Sequence, residues 1–116
     1  MLRLIRSDSE FAPMQLTDVG TIIATREFQT DQGKITVLIG LPQKFPEEED
    51  YFCPYQIVGT GSGRVRRAGG VDAVQALQGA LRMIGTDIYT SAEAQQGQLS
   101  WVGGRGLHEI GFPLPE

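Results

Sequence analysis

The chain has 116 residues, 41% of them apolar, and a formal net charge of −4, values that fit a globular protein with one continuous core over residues 1–116. No run approaches the ~18 apolar residues of a membrane span, the N-terminus lacks the apolar segment of a secretory signal, and the acidic balance opposes a broad footprint on nucleic acid. A lone cysteine, Cys53, cannot form an internal disulfide and fits a reducing compartment, so a cytoplasmic protein is expected.

Residues 1–17 mix charged, apolar and turn-forming types without a sustained period, and only a short strand over residues 2–6 is expected there. From Val19 to Thr30 the chain is rich in β-branched residues and free of proline, which predicts a strand. Asp31-Gln32-Gly33-Lys34 supplies a turn, and Ile35, Val37, Ile39 and Leu41 then alternate onto one face of a returning strand. The connection from Pro42 to Asp50 ends in four adjacent carboxylates, Glu47 to Asp50. Adjacent side chains do not face one centre, and a calcium loop's ligand spacing is absent, so a solvated acidic loop is expected. Glu48 and Glu49 are nonetheless a surface that a basic partner can recognise.

Residues 51–89 are the stretch around which the chain is organised. Tyr51, Cys53, Tyr55 and Ile57 alternate with Phe52, Pro54, Gln56 and Val58, a strand with apolar residues on both faces, and Pro54 places an edge or a bulge in it. Gly59-Thr60-Gly61-Ser62-Gly63 turns the chain, a short strand returns over residues 64–68, and Gly69-Gly70 leads into the one convincing helix. Val71, Val74, Leu77, Leu81, Ile84 and Ile88 recur at spacings of three and four, which sets all six on one stripe. At roughly 1.5–3 kcal/mol per fully buried side chain, such a stripe requires a flat apolar cover. Asp72 falls in the first turn, where a negative charge complements the helix dipole. Gly79 admits a close backbone neighbour, and Gly85 marks the end of the helix or a distortion, with residues 86–94 as a frayed last part. The tail carries a weak hairpin-or-loop signal at residues 99–106 and ends in prolines. A helix over an antiparallel sheet of about four strands is therefore expected, an α+β two-layer fold with the helix packed across one face.

The glycine turn and the arginines after it form the most pointed constellation. Successive glycine amides can line a concavity, and Arg64, Arg66 and Arg67 can clamp a phosphate or carboxylate with Gly61 and Gly70. A strand follows the turn, whereas phosphate loops lead from a strand into a helix N-terminus, so a glycine-rich hairpin with arginines on a polar strand face stands beside the anion-site reading. Cys53, between aromatics and Pro54, has the surroundings of a small buried hydrophobe. The only imidazole, His108, lies far off in the chain, and one Cys with one His does not make a metal site. Trp101 is either an aromatic cap over the open end of the core or a partner-binding surface.

The runs Cys53 to Ile57 and Arg66 to Leu77, followed by Ile84-Gly85 and Ile88-Tyr89, resemble a group of small bacterial proteins classed as a domain of unknown function. The resemblance implies a stand-alone bacterial domain and carries no established activity onto these positions. The expected function is accordingly that of a non-enzymatic partner-binding or accessory protein, of immunity or regulatory type, without cofactor or metal and with a protein partner or a second copy of itself. The alternative is a small-anion or nucleotide binder that uses residues 59–70, and an enzyme using Cys53 or His108 ranks last.

Overall fold

The computed structural model describes residues 18–115; the strand expected over residues 2–6 lies outside them. The elements run β1 (Ile22–Thr30), β2 (Gly33–Gly40), β3 (Gln43–Lys44), β4 (Tyr51–Val58), β5 (Val65–Gly70), α1 (Ala73–Tyr89), α2 (Ala92–Gln95), β6 (Ser100–Trp101), β7 (Gly104–Arg105) and a 3-10 turn at Leu107–Glu109. The α+β class holds, with one long helix on an antiparallel sheet. Among the described residues the sheet has seven strands, however, in place of the expected four or so. The four long strands are those expected from the sequence. The added three are two-residue pieces, too short to carry a period, and they exist only because a neighbouring strand offers them partners.

Strand β4 is the centre of the layer. Its Tyr51 and Phe52 pair with both β3 and β5, and its Tyr55 and Gln56 with both β2 and β5. Strands β2 and β3 therefore lie end to end along one side of β4, and β5 forms an edge on the other. The second flank continues through β1 to the β6–β7 hairpin. Cys53, Tyr55 and Ile57 of β4 face the helix with Ile35, Val37 and Ile39 of β2, Phe28 of β1 and Ala68 of β5, in one apolar cluster. Pro54 points the other way, as alternation requires, and is fully buried at the junction where Val19 and Gly40 approach it. Pro54 thus falls between the last pair of β4 with β2, Tyr55 with Ile39, and the first with β3, Phe52 with Gln43, where a residue without an N–H is tolerated.

The helix uses a different stripe from the one its large residues outline. Ala76, Ala80, Ile84 and Ile88 face the sheet, whereas Val71 is 68% and Val74 63% exposed, with Leu77 and Leu81 packed only on the flank. Backbone proximity decides this. Gly70 lies directly beneath Ala76, and Gly79 sits against the Ala68 side chain, so small residues on both partners let the helix settle onto β5. Asp72 is the N-cap, one position before the first turn in which it was expected. Its carboxylate accepts from the Gln75 amide at 2.8 Å while the Gln75 side chain accepts from the Val71 amide at 2.8 Å. The expected end or distortion at Gly85 is corrected too, because α1 runs unbroken to Tyr89. Gly85 is buried in it, and its missing side chain leaves the space taken by the backbone of Pro113.

Of the tail over residues 103–116, expected to be irregular, the described part up to residue 115 is held through Arg26. Its guanidinium lies 3.7 Å from the centre of the Trp101 ring and 5.0 Å from that of Phe112, and it donates to the Gly111 carbonyl at 3.0 Å. Desolvation under the rings lowers its pKa from the usual value. Among the described residues no helix is long and apolar enough to cross a membrane.

Candidate functional site

Because α1 passes Gly70 with Ala76, Ala68 with Gly79 and Arg66 with Asp87, it runs back along β5. Its C-terminal end therefore arrives beside the turn that joins β4 to β5. Between them lies a half-open cleft of about 220 Å³, whose lining includes Tyr55, Gly61, Arg64, Arg66, Asp87 and Ser91. The strand register brings Tyr55 opposite Arg66. Both donate to the same oxygen of Asp87, the Tyr55 hydroxyl at 3.0 Å and Arg66 Nη1 at 2.7 Å. Burial first, and then the Asp87 charge, push the Tyr55 phenol well above its usual pKa, so it serves here as a neutral donor.

The hydroxyls around the cleft are committed to the fold. Thr90 Oγ1 donates to the Thr86 carbonyl at 2.8 Å, and Ser91 Oγ donates to the Ile88 carbonyl at 2.7 Å while accepting from the Ala94 amide to cap α2. Thr60 donates to Glu93 at 2.9 Å and ties the turn to α2. In contrast, the Arg64 guanidinium has no hydrogen bond or ion pair with the described residues, and neither has the second oxygen of Asp87, Oδ1.

The five residues of the expected anion site do not meet at one point. Arg64, Arg66 and Gly61 line the cleft. Arg67 leaves on the opposite face of β5, with its guanidinium 5.5 Å from the centre of the Phe45 ring, and Gly70 lies under the helix N-terminus. Side-chain alternation makes the separation of Arg66 from Arg67 inevitable once both are in a strand. Glu48 and Glu49 are exposed at the other end of β4, where Glu49 sits 3.6 Å from the Lys44 amine. Trp101 is half-buried across the sheet, stacked on Arg26 and donating its indole N–H to the Glu109 carbonyl at 2.6 Å.

Cys53 is fully buried, its thiol 3.5 Å from the Gly40 carbonyl, and burial pushes its pKa up to about 11. That is the reverse of what a nucleophilic thiolate needs. His108 is exposed and packs against Tyr89. No three of the described His, Cys, Asp and Glu residues gather into a metal-ligating group.

Asp87 is the site residue that sequence reasoning missed. The available signal was a carboxylate immediately before Ile88 in a stretch that continues the buried helical period. Treating residues 86–94 as frayed concealed it.

No curated protein and no solved structure matches the chain. One family model does, that of a domain of unknown function, DUF6968, over residues 24–114, a span that takes in every long strand but the start of β1, both helices and the tail hairpin. The chain therefore belongs to the DUF6968 family.

Proposed function

We propose that this protein is a non-enzymatic binding domain of accessory or regulatory type, and that it holds its partner through a small anionic group received in the cleft beside residues 59–64. The observation that carries this reading is Arg64, a residue of the cleft lining whose guanidinium has no ion pair with any carboxylate among the described residues. Arg66 cannot take the same role unaided, since Asp87 already holds it at 2.7 Å. The buried, protonated Cys53 thiol argues against the enzymatic alternative. Size bears on the ligand: about 220 Å³ lies below the ~300–1,000 Å³ of ordinary small-molecule pockets, enough for a carboxylate and one side chain but not for a nucleotide.

The test is a nuclear magnetic resonance titration of the full chain with sodium acetate and, separately, inorganic phosphate, at constant ionic strength. The amides of residues 59–64 and 87–91 are expected to shift in a saturable way with at least one of these anions, and Arg64→Ala is expected to remove the shifts while leaving the remaining spectrum in place. Saturable shifts that survive Arg64→Ala unchanged would move the site elsewhere.

A further inference from the structure

We infer that the cleft receives the C-terminal carboxylate of a partner polypeptide, with the N–H of that last residue donated to Asp87. The inference rests on the preceding reading that the cleft takes an anion, and it adds what carries the anion.

Two residues of opposite charge line the same small space, and among the described residues each keeps hydrogen-bonding capacity that no neighbour uses. Arg64 offers guanidinium donors, and Asp87 offers Oδ1, since Tyr55 and Arg66 both donate to Oδ2. A carboxylate oxygen accepts hydrogen bonds readily, and the Asp87 side chain is 32% exposed, so an incoming N–H can reach it. A bare anion satisfies only Arg64 and leaves Asp87 facing a like charge. The last residue of a chain presents a carboxylate and an N–H one carbon apart, and so answers both. Charge points the same way. Arg64 and Arg66 against Asp87 leave one positive charge in the lining, which matches a monoanionic carboxylate better than a doubly charged phosphate, and Glu93, held by Thr60 nearby, adds to the penalty for the latter.

The surroundings say where the rest of the chain goes. The space equals about seven water volumes, room for one terminal residue. Arg66 and Asp87 also form the wall of a second depression of about 240 Å³, lined with them by Arg82, Met83 and Thr86. A polypeptide whose last residue occupies the cleft can cross the Arg66–Asp87 pair and set an earlier apolar side chain against Met83. A free amino acid would leave that trough empty.

The experiment compares probes in the same resonance titration: an N-acetylated tripeptide of two alanines and a leucine with a free carboxylate, its C-terminal carboxamide, the analogue N-methylated at the last peptide bond, free leucine, and inorganic phosphate. The free-acid tripeptide is expected to bind tightest, shifting residues 59–64 and also Arg82 and Met83. The carboxamide and the N-methylated analogue should each be weaker by about tenfold or more, the loss that goes with one charge-assisted hydrogen bond. If phosphate or the N-methylated tripeptide binds as tightly as the free acid, the chain-terminus inference is overturned while the anion reading stands. If free leucine does, the source is a free amino acid and the inference fails on that arm. If none of the probes, phosphate and acetate included, shifts residues 59–64, the cleft reading falls as well.

Discussion

Gly69 and Gly70 are neighbours in one strand, and alanine at each is expected to act in opposite directions. Taken as strand residues alone, both should gain roughly 0.5–1 kcal/mol from alanine, because glycine loses more backbone freedom on folding. Gly69 faces away from the helix, and an added methyl group there meets only the Tyr51 carbonyl oxygen at 3.8 Å. Gly69→Ala is therefore expected to be neutral or to raise stability by about that amount. At Gly70 the same methyl group would lie 2.8 Å from the Gln75 carbonyl carbon and 2.9 Å from the Ala76 Cα, with the Ala76 nitrogen nearer still. These are backbone atoms of the first helical turn, held by the Asp72 cap, so no side chain can swing aside and the helix must lift from the sheet. Overpacking of this kind costs about 1–3 kcal/mol, and the displaced contacts of Ala76 and Ala80 place Gly70→Ala toward the upper end. At roughly 4 °C per kcal/mol for a chain of this size, the melting temperature should fall by about 8–12 °C, with Gly69→Ala unchanged or slightly above the parent. Thermal unfolding followed by circular dichroism reads both. Equal Tm values for the two variants would refute the close approach of α1 to β5, and with it the position of the cleft.

Gly85→Ala is a second case in which helix propensity, about 1 kcal/mol in favour of alanine, is overruled: the methyl group would overlap the Pro113 carbonyl and crowd the Phe112 Cβ at 3.3 Å, so a net loss of about 1 kcal/mol is expected, and a rise in Tm would count against docking of the tail. Arg26→Ala removes the group between Trp101 and Phe112, with a loss of about 1–2 kcal/mol and a red-shifted Trp101 emission. Arg26→Lys should recover little of either, since an ammonium does not stack as a guanidinium does, and full recovery would show that charge alone matters. The thiol of Cys53 is raised from 9.0 to about 11. The folded state therefore holds its proton where the unfolded state has lost it, so the contribution to stability is complete below pH ~9 and is lost as pH rises toward ~11. Denaturant titrations across that window should fall less steeply for Cys53→Ala than for the parent; parallel slopes would contradict the buried thiol.

Alternation placed β2 and β4, because a strand with one face in the core must repeat every second residue, as Ile35, Val37 and Ile39 do against Cys53, Tyr55 and Ile57, while β-branched content marked β1 and the glycine turn marked β5. The helix was legible as an element but not in its rotation. Counting large apolar residues gave weight to Val71 and Val74, whereas the approach of two backbones selected Ala76 and Ala80, and small side chains carry little signal in a hydrophobicity pattern. The turn with Arg64 and Arg66 was visible for the same reason as the strands, since residues two apart share a face. Asp87 could not be found that way, and the tail hairpin gave only a weak hairpin-or-loop signal over residues 99–106. Their positions depend on contacts between segments separated by 21 residues for Arg66 with Asp87 and by 85 for Arg26 with Gly111.

Local chemistry in this chain thus settled which segments are the long strands, which segment is the long helix, and that Arg64 and Arg66, two residues apart, share a face. Three things were decided only by tertiary packing: which helix face is buried, the pairing of the two-residue strands, and the meeting of Tyr55, Arg66 and Asp87 in one cleft. The physical reason is range. Backbone geometry and side-chain period act over a few residues, whereas a glycine's value as a docking point, or a carboxylate's as a hydrogen-bond acceptor, depends on what a distant part of the chain brings beside it.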